Sequence, residues 1–118
     1  MAIIEKIKGK QRAYVARKNA LAYVEHLRKV VGLPVSAAYL FGSMAKGTSH
    51  GASDVDVCVV SSYFQDETID ELFYLWQNRR LEDVRNGIQP VGFTDDEFAG
   101  DTTLPLVQEI KNTGVRLA

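Results

Sequence analysis

Two carboxylates set two residues apart, Asp54 and Asp56, stand in the apolar run Asp54-Val-Asp-Val-Cys-Val-Val60. On an extended strand they project from one face, while Val55, Val57 and Val59 line the other. Side by side in an apolar strand they repel each other and resist desolvation. A divalent cation removes that conflict, and Mg²⁺ takes one or two carboxylates together with phosphate oxygens. A frayed, solvated strand end carries such a pair equally well. Twelve positions before Asp54 stands Gly42-Ser43, where a short apolar run, Val35 to Phe41, breaks off. Ser43 can cap a short helical turn through Met44 and Ala45, whose first N–H groups and hydroxyl face outward as a phosphate cradle. Gly42 removes the side chain that would block close approach, and Lys46 supplies a cation three residues on. Gly47, Thr48, Ser49 and Gly51 allow a tight return to the aspartates.

Several elements must position these groups. Apolar residues Ala13, Ala16, Ala20, Val24, Leu27 and Val31 step by three or four, predicting a helix from about Gly9 to Val31 that Gly32 and Pro34 stop. Strands are expected over 35–41, 54–60 and 88–93. Residues 66–84 read as one helix with Ile69, Leu72, Phe73 and Trp76 as its core stripe. Tyr74 and Leu75 widen its apolar arc toward a protein contact. Thr94 and Glu97 form a capping box for a short helix, and a last helix near 104–112 ends at Gly114. The expected class is α/β (α+β): a small mixed sheet with flanking helices.

The Gly-Ser turn followed by Ser53-Asp54-Val55-Asp56 resembles the signature of the minimal nucleotidyltransferases of the DNA polymerase β superfamily, which includes antitoxin and kanamycin-nucleotidyltransferase types. Gly42, Ser43, Lys46, Gly47, Ser53, Asp54 and Asp56 match its pattern, and the likeness spans most of the chain. It implies the polymerase β-like fold, with Mg²⁺ on Asp54 and Asp56 and a nucleoside triphosphate, such as ATP, held by Gly42, Ser43, Lys46 and Ser53. The reaction implied is transfer of a nucleoside monophosphate to an acceptor hydroxyl with release of pyrophosphate. The superfamily also carries a third carboxylate on the next strand, where this chain has Gln89. Glutamine is neutral, ligates Mg²⁺ more weakly and cannot take a proton as a carboxylate can. The position therefore supports either weakened transfer or an acid relocated to Asp83, Asp95 or Asp96. Similar stand-alone domains pair with small helical HEPN-type proteins, often as antitoxins, which implies adenylylation of a partner. The alternative is a nucleotide-binding module that regulates its partner by docking.

Bulk composition agrees with one domain over 1–118. The 118 residues are 46% hydrophobic and 25% charged, which excludes disordered and fibrous classes. That length leaves no room for a separate acceptor domain. The single cysteine, Cys58, precludes an internal disulfide and a Cys-based zinc site, and reads as a packed core thiol. No run reaches the ~20 apolar residues of a membrane span. No signal-peptide core is visible in residues 1–10 either, so a cytoplasmic protein is expected. Net charge is −1, yet residues 1–30 carry +6 and residues 31–118 carry −7. The basic first helix is expected to stand apart from the acidic pair. Nucleic acid is a weaker partner than protein, because template binding in this superfamily needs further domains. A homo-oligomer stays open.

Overall fold

A computed structural model describes residues 2–47, 54–100 and 104–118. Helix α1 (Ala2–His26) runs into a π-type turn (Leu27–Val31), followed by β1 (Ala37–Phe41), a one-turn helix α2 (Ser43–Lys46) and β2 (Val55–Val60). A 3₁₀ turn (Ser62–Gln65), α3 (Glu71–Gln77), α4 (Leu81–Arg85) and β3 (Ile88–Phe93) follow. The chain ends with α5 (Asp95–Ala99), α6 (Pro105–Thr113) and β4 (Val115–Arg116). The four strands form one sheet in the order β3-β2-β1-β4, with β2 and β3 parallel and the other pairs antiparallel. This is the expected small mixed sheet flanked by helices.

The alternation read in β2 divides the core in two. Val55, Val57 and Val59 pack with Leu40, Ile88, the buried stripe of α1 (Ala16, Ala20, Tyr23 and Val24) and Leu27 of the π-type turn. Cys58 and Val60 face the other way, against Phe98 of α5 and Val107 and Ile110 of α6. Burial in that second layer pushes the Cys58 thiol up to about 12, so it stays protonated and inert at neutral pH.

The long helix expected over 66–84 is broken. Asp66 accepts hydrogen bonds from the Thr68 backbone N–H (2.9 Å) and hydroxyl (2.6 Å), a side-chain turn that competes with helix formation. The helix begins only after Asp70, which caps it by accepting from Phe73 N–H at 3.0 Å. Starting there turns the apolar stripe: Leu75 is fully buried, while Leu72 and Phe73 are 52% and 64% exposed. Tyr23 Oη donates to the Leu75 carbonyl at 2.7 Å and ties α1 to this helix. A second break falls at Arg80, whose backbone N–H and guanidinium both donate to Asp83.

Helix α3 also lies along the outer side of β3. The Trp76 indole N–H donates to the Pro90 carbonyl at 2.9 Å and Arg79 Nη1 to the Ile88 carbonyl at 3.1 Å. Gly92 allows this approach, since a Cβ there would press on Phe64, Leu75 and Glu71.

Candidate functional site

Strand β1 ends at Gly42, which has φ 77° and ψ −158°, a conformation closed to residues with a side chain. A second constraint acts at the same atom. A Cβ at Gly42 would lie 3.4 Å from Asp56 Cγ and closer still to Asp56 Oδ2. The carboxylate of β2 therefore rests over the backbone from which the turn springs. That turn is α2, in which Gly42 and not Ser43 is the cap and no side chain caps it, because Ser43 is already the first helical residue; its first N–H groups have no acceptor within the helix. Its Lys46 N–H bonds back to the Gly42 carbonyl at 3.2 Å, and Gly47 closes it in the left-handed conformation, φ 69°.

Strand register assembles the rest. Asp56 lies opposite Phe41 on β1 and opposite Gln89 on β3, so the three side chains share one face of the sheet. On that face the cover from α5 and α6 reaches Cys58 and Val60 and leaves Asp56 half-buried and Asp54 exposed. Partial burial first, then the neighbouring Asp54 charge, then Glu109 raise the Asp56 pKa above its ordinary value. Among the described residues, neither Asp54 nor Asp56 has a cationic or hydrogen-bonding partner. A pair of carboxylates left in mutual repulsion beside the Gly-Ser turn fits a hard divalent cation. Among the described residues no group of three His, Cys, Asp or Glu side chains converges closely enough to hold a metal. The neutral Gln89 in the third position on this face is consistent with that. Ser53 lies outside the described residues.

The other acids weighed for the third role lie on other elements. Asp83 is buried and bonded by the Arg80 guanidinium at 2.9 Å. Asp95 and Asp96 occupy the first turn of α5, where Thr94 and Glu97 cap each other.

Two contacts were not visible in the sequence. Glu109, on α6, reaches Lys46, with Oε1 3.4 Å from Nζ. The basic helix does not stand apart, because Gly9 of α1 sits against the turn: a Cβ there would lie 2.7 Å from the Gly47 carbonyl oxygen. An interior glycine in a helix is the signal for such close approach. Placing the helix start near Gly9 concealed it.

A mixed sheet with a Gly-Ser turn facing an Asp-x-Asp strand across adjacent strands is the architecture of the polymerase β-like nucleotidyltransferases. The family described as "Nucleotidyltransferase domain" matches residues 18–91, well over half of the chain, and the match spans both the turn and the acidic strand. The chain belongs to that nucleotidyltransferase domain family. It is similar in fold to a solved structure described as a "putative nucleotidyltransferase from Sulfolobus solfataricus", with TM-score 0.62 and 18% identity. That alignment covers 95% of this chain and 85% of the other. No curated protein matches the chain. Among the described residues, no helix is long and apolar enough to cross a membrane.

Proposed function

We propose that the protein is a single-domain nucleotidyltransferase that transfers a nucleoside monophosphate, AMP from MgATP, to a hydroxyl on a partner protein. The observation carrying this reading is the seat of the Asp56 carboxylate on Gly42, which sets carboxylate oxygens against the backbone of the Gly-Ser turn, where they would ligate a metal beside bound phosphates. Ser43 and the N–H groups of α2 would hold the β- and γ-phosphates with Lys46 as counter-charge, and Ser53 would close the cradle. Asp54 and Asp56 would hold Mg²⁺, which when bound offsets the charge of the transferring phosphoryl group and of the departing pyrophosphate. The acceptor oxygen forms its bond to the α-phosphorus as the bond to the β-phosphate oxygen breaks. Gln89 can orient the acceptor by a hydrogen bond, but it cannot take the hydroxyl proton, which must leave to solvent.

A protein acceptor is supported by α1. Ile3, Ile7 and Tyr14 are exposed on it among Lys6, Lys8 and Lys10, and the same helix abuts the phosphate turn through Gly9. A partner docked on α1 would therefore stand beside the nucleotide. A small helical HEPN-type protein, with this chain as its antitoxin, fits that arrangement better than nucleic acid does. Gln89 opposite Asp56 favours a second reading, a nucleotide-binding regulator that acts by docking with transfer reduced or lost.

The test is incubation of the purified protein with α-labelled ATP, Mg²⁺ and the product of the neighbouring gene. Label on the partner, absent with Asp54→Asn/Asp56→Asn, is the expected result. Mg²⁺-dependent ATP binding without transfer selects the regulator. ATP binding that persists in the double variant refutes the site.

A further inference from the structure

Lys46 is the side-chain cation at the end of the phosphate turn, and it is already paired. Its Nζ lies 3.4 Å from Glu109 Oε1, a link between residues sixty-three positions apart. Helix α6 is held to the sheet by the fully buried Val107 and Ile110, which flank Glu109 in sequence. Gly114 fits closely under the Ile110 carbonyl, and its N–H donates there at 2.8 Å. The Thr113 hydroxyl closes the same turn by donating to the Glu109 carbonyl at 2.9 Å. The base of Glu109 is thus fixed, and its carboxylate is delivered to the turn by packing. The same carboxylate bears electrostatically on Asp56, as does Asp54, so the three acids repel one another at this end of the sheet.

We propose that Glu109 sets the metal dependence of phosphate binding by holding Lys46 in an ion pair that an incoming polyphosphate must open. This rests on assigning the turn from Gly42 to Lys46 to phosphate. Without a divalent cation, a polyphosphate meets acidic groups and a Lys46 that is already engaged. With the aspartates' charge offset, the phosphate competes for Lys46 on better terms, because a multiply charged oxyanion outbids a single carboxylate. Both partners of the pair are more than two-fifths exposed, so the pair opens readily. It acts as a bias on affinity and leaves the turn accessible.

Inorganic pyrophosphate in EDTA at low salt probes the turn without base or metal, and calorimetry reads its affinity. Glu109→Gln keeps the side-chain shape and should tighten binding by about threefold to tenfold, the scale of one exposed ion pair plus one relieved repulsion. The gain should shrink sharply when Lys46→Met is added, and should be smaller for wild type against Glu109→Gln when Mg²⁺ is present. An unchanged or weakened affinity in Glu109→Gln overturns the proposal, as does undetectable binding by that variant. An equal gain in the Lys46→Met background also overturns it, since Glu109 would then act by bulk charge alone. Failure of the nucleotidyltransferase reading shows elsewhere, as Mg²⁺-dependent ATP binding that survives loss of both aspartates.

Discussion

Replacing Gly42 with alanine tests the seat of the Asp56 carboxylate directly, because two costs fall on one atom. The backbone there, φ 77° and ψ −158°, belongs to the region open essentially only to glycine, and forcing a side chain into it costs about 1–3 kcal/mol. The added methyl would also overlap Asp56 Oδ2, and something must shift. Relaxing the backbone would displace the turn proposed to hold phosphate, and moving the carboxylate would displace the proposed metal ligand. Gly32 supplies the control. It too has positive φ, 84°, but with ψ 21° it lies in the milder left-handed region, and a Cβ there meets nothing within 4 Å. Gly32→Ala should therefore cost roughly 1–2 kcal/mol of stability. Its MgATP affinity should stay within about twofold, as expected of distant, uncoupled sites. Gly42→Ala should lower Tm by roughly 5–15 °C. It should also weaken MgATP binding by at least about tenfold, a loss of some 1.4 kcal/mol. Thermal melts followed by MgATP calorimetry below both transitions separate the two effects. Wild-type affinity in folded Gly42→Ala would refute the proposal that Asp56 and the turn at Gly42 together hold MgATP.

Two further outcomes follow from the same face of the sheet. The Asp56 pKa is raised in the folded protein, so between the ordinary aspartate value of 3.8 and the raised value the native state binds the extra proton and stability falls as pH rises. At neutral pH in EDTA, Asp56→Asn should therefore melt above wild type, with Mg²⁺ stabilising wild type but not the variant; melts across pH check both, and a lower Tm for the variant in EDTA contradicts the assignment. Gln89→Glu should increase label transfer to the partner by about tenfold or more, within the range of general-base contributions, and an unchanged rate would remove position 89 from the site.

The legible parts of this chain were those whose periodicity is local. Alternation in Asp54–Val60 defined both faces of β2, and the break at Gly42 defined the turn. The placing of Gln89 beside the aspartates agrees with the strand register. What escaped depended on competition or distance. Asp66 diverts its backbone neighbours into a side-chain turn, so an apparently continuous helical pattern breaks there and again at Arg80. Strand β4 has only Val115 and Arg116, too few residues to show alternation, and exists because β1 offers Tyr39 and Leu40 as partners. Glu109 lies on the polar side of an amphipathic helix, and nothing in its neighbours marks it as more than solvated charge. Its meaning comes from α6 folding back to within reach of Lys46.

The hydrogen bonds that α3 makes along β3 limit how this molecule can associate. Register directs the carbonyls of Gly87, Gln89, Val91 and Phe93 toward β2, leaving those of Ile88, Pro90 and Gly92 on the outer margin. Arg79 and Trp76 occupy the first two, Pro90 has no N–H to offer, and Phe64, Leu75 and Glu71 close over Gly92. A strand from another chain would find the ladder already terminated there. Association on that side must therefore proceed through side-chain surfaces, such as the exposed Leu72 and Phe73, and not by lengthening the sheet.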